Sequence, residues 1–285
     1  MRFHALHFGW AALPPQPRAV VIFLGGAFFG SFPTLFYRAL LREVYEAGYG
    51  VVAIPFRFSI RHWDIALSLA IYQAELRREV AALLRADGGL SPSALEIPYA
   101  WIAHSLGSKY VALLELLSDT EEVAAATGVR SALQLEAPEQ AEELARKLRL
   151  IDARAISLRN QPQVLLDPVI ADLEAAIPLP FLERFFSKAL KVRPSQRVTL
   201  ALIQASKLFS ITTILSLASR TAKRTVEQLR DLGHQPPIPV QEVNLANPTP
   251  LVGRHLALLG FRAIDPSLRA SILATLEAAR PSHGR

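Results

Sequence analysis

The chain has 285 residues and a mass of 31.3 kDa; 51% of it is hydrophobic, 20% is charged and the mean hydropathy is +0.25, which excludes a largely disordered protein and calls for one extensive core. It contains no cysteine, so disulfides, thiolate metal sites and thiol nucleophiles are excluded, and reactive chemistry must come from oxygen and nitrogen groups. The formal net charge of +6 is unevenly spread: Arg184 to Arg230 holds ten basic residues against Glu227 alone, so this stretch carries +9 and the rest of the chain −3.

Met1 to Trp10 carries Arg2, His4 and His7 and has no signal-length apolar run before Leu13-Pro14-Pro15, so a cytoplasmic protein is expected, with peripheral membrane association left open. Ala19 to Tyr37 is uncharged. Gly25, Gly26, Gly30 and Pro33 interrupt it, and Val20 to Leu24 reads as a short buried strand rather than part of a membrane span. A glycine turn follows. Leu35, Leu40, Leu41 and Val44 recur at helical spacing within Thr34 to Ala47, Gly48 ends that helix, and Tyr49 to Pro55 is a second buried strand. A long helix is predicted from Trp63 to Arg85, closed by Gly88-Gly89, and then a strand at Tyr99 to Ala103 that runs through His104-Ser105-Leu106-Gly107 into a helix from Ser108 to Ser118.

The second half is less regular. Ala153 to Leu158 is predicted as a strand, and Pro162 to Lys191 as proline-punctuated helical pieces. Arg197 to Gln204 reads as a strand, Ile211 to Leu232 as a helix and Val240 to Leu245 as the last strand. Strands alternating with helices imply a single α/β domain over residues 1–285, with a mostly parallel sheet, right-handed crossovers and helices on both faces. Residues 160–195 are expected to form a small helical cap inserted into it. Within them, Pro178 to Lys191 is amphipathic, with Phe181, Phe185 and Phe186 set against Arg184, Lys188 and Lys191.

Ala103-His104-Ser105-Leu106-Gly107 has the small-x-Ser-x-Gly spacing of a nucleophile elbow, at the strand-to-helix junction where that motif works. Small residues two before and two after the serine let strand and helix pass each other. Ser105 is therefore the candidate nucleophile. The Leu106 amide, at the start of a helix, is a candidate oxyanion donor. The glycine loop after the Val20 strand offers a second, from the amides of Ala27 and Gly26. Its competing reading is a packing turn.

A histidine base should follow the last strand, and His255 is so placed; His234, before Pro236-Pro237, is the poorer alternative. The acid is harder to find. In this chain order it should follow the strand before the last, yet Ala205-Ser206-Lys207-Leu208-Phe209-Ser210 contains no carboxylate. Asp167, after the preceding strand, is the first candidate, with Glu136, Asp172 and Asp231 behind it.

These motifs resemble those of an α/β-hydrolase-like family from cyanobacteria and plant plastids that is known only as domain of unknown function 1350. The resemblance rests on Phe23-Leu24-Gly25-Gly26-Ala27-Phe28 with Tyr37-Arg38, on Gly48 to Phe56, on His104-Ser105-Leu106-Gly107-Ser108-Lys109, and on His255 after the final strand. It implies the α/β-hydrolase fold and brings no established activity. It also implies acidic residues after the penultimate strand, from which Ala205-Ser206-Lys207 departs.

Phe28, Phe29, Phe32, Phe36, Phe56 and Phe58 flank the glycine loop and the next strand, and aromatic walls beside a nucleophile suit acyl chains, although core packing would use them equally well. Two functions are weighed. One is a serine hydrolase of esterase, lipase or thioesterase type acting on a hydrophobic small-molecule acyl substrate. The other is a silent hydrolase scaffold whose basic stretch, 184–230, meets an acidic protein partner or an anionic membrane surface. That stretch has no aromatic interleaving and no nucleic-acid motif, so no nucleic acid is expected as a partner. No cofactor and no metal is expected.

Overall fold

A computed structural model describes residues 1–86, 97–118, 123–149, 158, 160–170, 192–206, 209–247, 251–260 and 263–279. Its strands are β1 (His4–Leu6), β2 (Gly9–Ala12), β3 (Val20–Leu24), β4 (Gly50–Ala53), β5 (Tyr99–His104), β6 (Gln163–Leu166), β7 (Thr213–Ser216) and β8 (Val240–Glu242). They form one sheet in the order β1-β2-β4-β3-β5-β6-β7-β8. The β1–β2 hairpin and the β2–β4 pair are antiparallel; every later pairing is parallel. The central strands are buried on both faces and therefore read as continuous apolar runs.

Side chains alternate between two cores. Val20, Ile22 and Leu24 of β3 join Trp101 and Ala103 on one face, while Val21 and Phe23 join Ala100 and Ile102 on the other. The second face is covered by α2 (Arg38–Glu46), which follows the single turn α1 (Pro33–Phe36), and by the C-terminal helix α10 (Pro266–Ala278). The first is covered by α3 (His62–Ala86), α4 (Gly107–Ser118), α5 (Val123–Glu136), α6 (Pro138–Leu148), α7 (Gln196–Ala205) and α8 (Arg220–Asp231). A short helix, α9 (Leu251–Arg254), follows β8. No described helix is long and apolar enough to cross a membrane.

Two expectations change, and a third changes in part. Residues 197–204 are helix, not strand: the buried positions are Val198, Thr199, Leu202 and Ile203, a helical stripe, and Ser195 caps it by accepting from the Val198 amide at 3.3 Å. The helix expected over Ile211 to Leu232 is a strand followed by a helix. The chain turns at Leu217-Ala218-Ser219, with Ala218 at φ +56°, and Ser219 caps α8 by accepting from Ala222 at 3.1 Å. β-Branched Thr212, Thr213 and Ile214 favour the strand. The strand expected at 153–158 lies, apart from Leu158, outside the described residues, and the strand in that place in the sheet is β6. Within the segment 160–195 expected as a cap, 163–166 is a core strand paired on both sides; 171–191 lies outside the described residues.

Of the basic stretch, Arg197 pairs with Glu136 at 2.7 Å, and Arg220, Lys223 and Arg230 are exposed on α8; Arg184, Lys188, Lys191 and Lys207 lie outside the described residues.

The first turn of α4 passes the end of β3 so closely that a Cβ on Gly107 would lie 2.5 Å from the Gly25 carbonyl oxygen and 2.6 Å from that of Leu24. Both are backbone atoms. Gly107→Ala should therefore lower the unfolding free energy by about 3 kcal/mol, read from the urea midpoint. Gly233→Ala, at φ +61° with nothing within 4 Å of the new methyl, should cost only about 1 kcal/mol. Equal effects at the two sites would contradict this packing.

Candidate active site

Ser105 sits in the turn between β5 and α4 at φ +54°, in the left-handed region that costs a residue with a Cβ about 1–2 kcal/mol. Three backbone bonds hold it there. Its amide donates to the Leu166 carbonyl at 3.3 Å, and its carbonyl accepts from Ser108 at 3.1 Å and Val169 at 3.0 Å. The strand before it and the helix after it are fully buried, so the turn cannot relax outward; Ser105 itself is 3% exposed.

β6 is the parallel neighbour of β5, with His104 opposite Leu166, so the residue following each strand emerges at the same end of the sheet. Those residues are Ser105 and Asp167. Asp167 is fully buried at φ +42°, and its amide donates to the Leu215 carbonyl of β7 at 2.8 Å. One carboxylate oxygen accepts from the Leu217 amide at 2.9 Å; the other accepts from the Ser219 hydroxyl at 2.5 Å and lies 2.6 Å from His255 Nδ1. His255 Nε2 lies 2.9 Å from Ser105 Oγ. The imidazole, just past α9, thus bridges hydroxyl and carboxylate across 150 residues of chain.

Burial alone would push the Asp167 carboxyl up, but hydrogen bonds from His255 and Ser219 and the nearby imidazoles hold it below the usual carboxylate range. A carboxylate in this position fixes the Nδ1–H tautomer of His255, which leaves Nε2 as an acceptor for the serine hydroxyl.

The two helix-start and loop amides proposed as oxyanion donors, of Ala27 and Leu106, make no hydrogen bond among the described residues. The Gly26 amide is different. It donates to the Tyr37 hydroxyl at 2.7 Å, so it is not free to meet a ligand, and the earlier assignment of this donor is corrected. Gly26 nevertheless brings its loop against the serine: a Cβ there would meet Ser105 Cβ at 3.0 Å. The remaining sequence candidates lie elsewhere. Glu136 pairs with Arg197, Asp231 is exposed at the end of α8, Asp172 lies outside the described residues, and His234 sits 3.2 Å from both the Ser206 and Pro236 carbonyls.

The phenylalanines divide. Phe56 is core and packs edge-on against Tyr110, and Phe29 and Phe36 pack against each other at 5.1 Å. Phe28, 47% exposed, stacks on Phe58 at 4.9 Å, and Phe32 is 63% exposed. Two clefts, one between α3 and α6 and one beneath α8 near Pro237, contain no member of the serine, histidine and aspartate trio. Among the described residues no group of three or more His, Asp or Glu side chains is arranged to hold a metal.

Three residues of this neighbourhood were not assigned from sequence: Tyr37, His104 and Ser219. A signal existed for the last, since a serine directly before an amphipathic basic helix is an N-cap signature. His104 and Tyr37 appear within recognised motifs, but nothing in their spacing shows that they meet.

A mostly parallel eight-stranded sheet with an antiparallel second strand, and a serine turn after its fifth strand, defines the α/β-hydrolase fold. A family model described as Protein of unknown function (DUF1350) matches residues 3–131, from β1 into α5, so the expected resemblance holds over that part of the chain. No curated protein matches the sequence. Among solved structures, esterase 2 of Thermogutta terrifontis is similar at 17% identity and a TM-score of 0.48, over 95% of this chain and 84% of that one. The carboxylesterase Cest-2923 of Lactobacillus plantarum is similar at 12% and 0.46, over 85% and 82%. Carboxyl esterase 2 of Tuber melanosporum is similar at 14% and 0.46, over 82% and 71%.

Two buried histidines make stability depend on acid. Burial and the neighbouring His255 push His104 down to about 3, against weaker upward pulls from Asp167 and the His255 carbonyl; burial and the Lys109 charge push His62 well below its ordinary value. Each is neutral when folded and takes up a proton when unfolded, at about pH 6.5. Their contribution is therefore complete above pH 6.5 and declines as pH falls toward the folded-state values. Between pH 6 and 5 the unfolding free energy should drop by at most about 1.4 kcal/mol per pH unit on account of His104, with His62 acting in the same direction, and His104→Gln should remove the first contribution from the slope. A variant slope equal to that of the parent, in urea titrations, would contradict a neutral His104.

Asp167 also depends on Ser219, which serves at once as its hydrogen-bond donor and as the cap of α8. Ser219→Ala should cost about 3 kcal/mol, the charged hydrogen bond and the cap together, and Ser219→Thr should restore most of it, both read as urea midpoints.

Proposed function

We propose that the protein is a serine hydrolase, of esterase or thioesterase type, acting on a hydrophobic acyl substrate. The observation that carries this reading is the continuous hydrogen-bonded path Ser105 Oγ, His255 Nε2, His255 Nδ1, Asp167 Oδ2, with steps of 2.9 and 2.6 Å. Ser105 Oγ attacks the acyl carbonyl as its proton passes to His255 Nε2. Asp167 stabilises the imidazolium that forms without taking its proton. The amides of Ala27 and Leu106 receive the developing oxyanion. Collapse expels the alcohol or thiol, protonated by His255, and leaves an acyl-Ser105 that water cleaves by the same steps in reverse roles.

Phe28 and Phe32 support an apolar acyl group, since their exposed rings lie on the loop that carries Ala27 and Phe28 stacks on the half-buried Phe58. The alternative reading, a silent scaffold that binds an acidic partner or a membrane surface, draws support from the lack of a carboxylate in 205–210 and from the +9 stretch at 184–230. Asp167 reaches His255 from the neighbouring strand, so that objection to catalysis no longer favours the scaffold.

A fluorophosphonate probe should label the folded protein on Ser105 and should fail to label Ser105→Ala, as mapped by mass spectrometry. With p-nitrophenyl butyrate, Asp167→Asn should lower kcat by about 10⁴-fold. Folded protein that takes no label on Ser105 would overturn the hydrolase reading.

A further inference from the structure

A second hydrogen-bonded chain runs behind the serine. The Gly26 amide, which can only donate, donates to the Tyr37 oxygen at 2.7 Å, and that oxygen lies 2.9 Å from His104 Nδ1. At its other end His104 Nε2 lies 3.0 Å from the main-chain carbonyl of His255, which can only accept. These constraints assign every proton. Nε2 must carry hydrogen to bond the carbonyl, a neutral ring then leaves a lone pair on Nδ1, and the Tyr37 hydroxyl donates to it. The sequence is Gly26 N–H to Tyr37 O–H to His104 Nδ1, then His104 Nε2–H to the His255 carbonyl. Tyr37 and His104 are both essentially fully buried, and their rings meet edge-on at 5.6 Å.

The ends of this chain are informative. One holds the glycine loop whose next amide, of Ala27, is unpaired among the described residues; the other holds the backbone of His255, whose ring lies tilted against that of His104 with centroids 4.8 Å apart. The centre is the residue joined to Ser105. The two loops come from opposite ends of the sequence, and the hydrogen bond from Gly260 to the Phe36 carbonyl ties the His255 loop to the helix turn that precedes Tyr37.

We propose that Tyr37 and His104 are positioning residues of the active site, a neutral relay that sets the glycine loop and the His255 backbone in register on either side of Ser105. Neither touches the substrate. The inference rests on the hydrolase reading for its kinetic consequence, although the proton arrangement itself does not. Occupying the Gly26 amide with a tyrosine hydroxyl also leaves Ala27 as the loop's oxyanion donor, with its direction set by the relay.

Two measurements test it. In protein labelled with ¹⁵N-histidine, NMR should show His104 as the Nε2–H tautomer, neutral from pH 8 to 5; an Nδ1–H tautomer, or a His104 that titrates in that range, would overturn the relay whether or not the protein is an enzyme. Kinetically, Tyr37→Phe should lower kcat on p-nitrophenyl butyrate by about 10²-fold, the scale of a small misplacement, while KM stays within about twofold. His104→Leu should act similarly, and His104→Gln, which returns a donor near the Nε2 position, should recover about tenfold of that loss. Parental kcat in Tyr37→Phe, or no difference between the leucine and glutamine variants, would overturn the positioning role. Because wild-type labelling by the fluorophosphonate is scored separately, failure of this inference is distinguishable from failure of the hydrolase reading. Should Tyr37→Phe not fold, the comparison of His104→Leu with His104→Gln and the NMR measurement on the parent protein decide.

Discussion

The passage of α4 across the end of β3 constrains everything near Ser105. Residue 107 has backbone oxygens within 3 Å of where a side chain would begin, so only glycine permits the helix to start there. That start in turn forces the serine into a left-handed conformation, which no chain adopts without compensation. The compensation is the buried strand on one side, the buried helix on the other and three backbone hydrogen bonds, to Ser108 within the turn and to Leu166 and Val169 around the end of β6. A hydroxyl held in this way loses little further freedom when it must meet an imidazole.

The acid shows how sheet geometry replaces chain order. After β7 the chain reads Leu217-Ala218-Ser219 and carries no carboxylate, yet the neighbouring strand β6 ends at the same level and is followed at once by Asp167. Parallel strands paired in register present the residues after their ends on one edge, about 5 Å apart, so either strand can bring a carboxylate to the same imidazole. Ser219, which follows β7, donates to that carboxylate. The segment after β7 therefore serves the site as a donor, through Ser219 and the Leu217 amide.

Burial also divides the two histidines by the groups they face. His255 hydrogen-bonds a buried carboxylate and the serine hydroxyl; His104, beside it, hydrogen-bonds a phenol and a carbonyl, and burial keeps it neutral.

Much was legible in the sequence because it is local. Val20 to Leu24 and Tyr99 to His104 declare themselves as buried strands by unbroken apolar runs, Gly48 ends its helix, and the spacing around Ser105 marks the turn, since each depends on contacts within a few residues. Arg197 to Gln204 and Ile211 to Leu232 were misread for the same reason: a short apolar run fits strand or helix equally until caps such as Ser195 and Ser219 are seen to engage. His255 and Asp167 could be named as candidates by residue type and rough position, but the 2.6 Å contact between them joins segments 88 residues apart. Gly26, Tyr37 and His104 meet only because parallel pairing sets β3 beside β5 and packs α1 and α2 against them. Sequence alone thus determined the residue types and the local turns, and tertiary structure alone decided which of them touch, because sheet register and helix packing depend on all the strands at once.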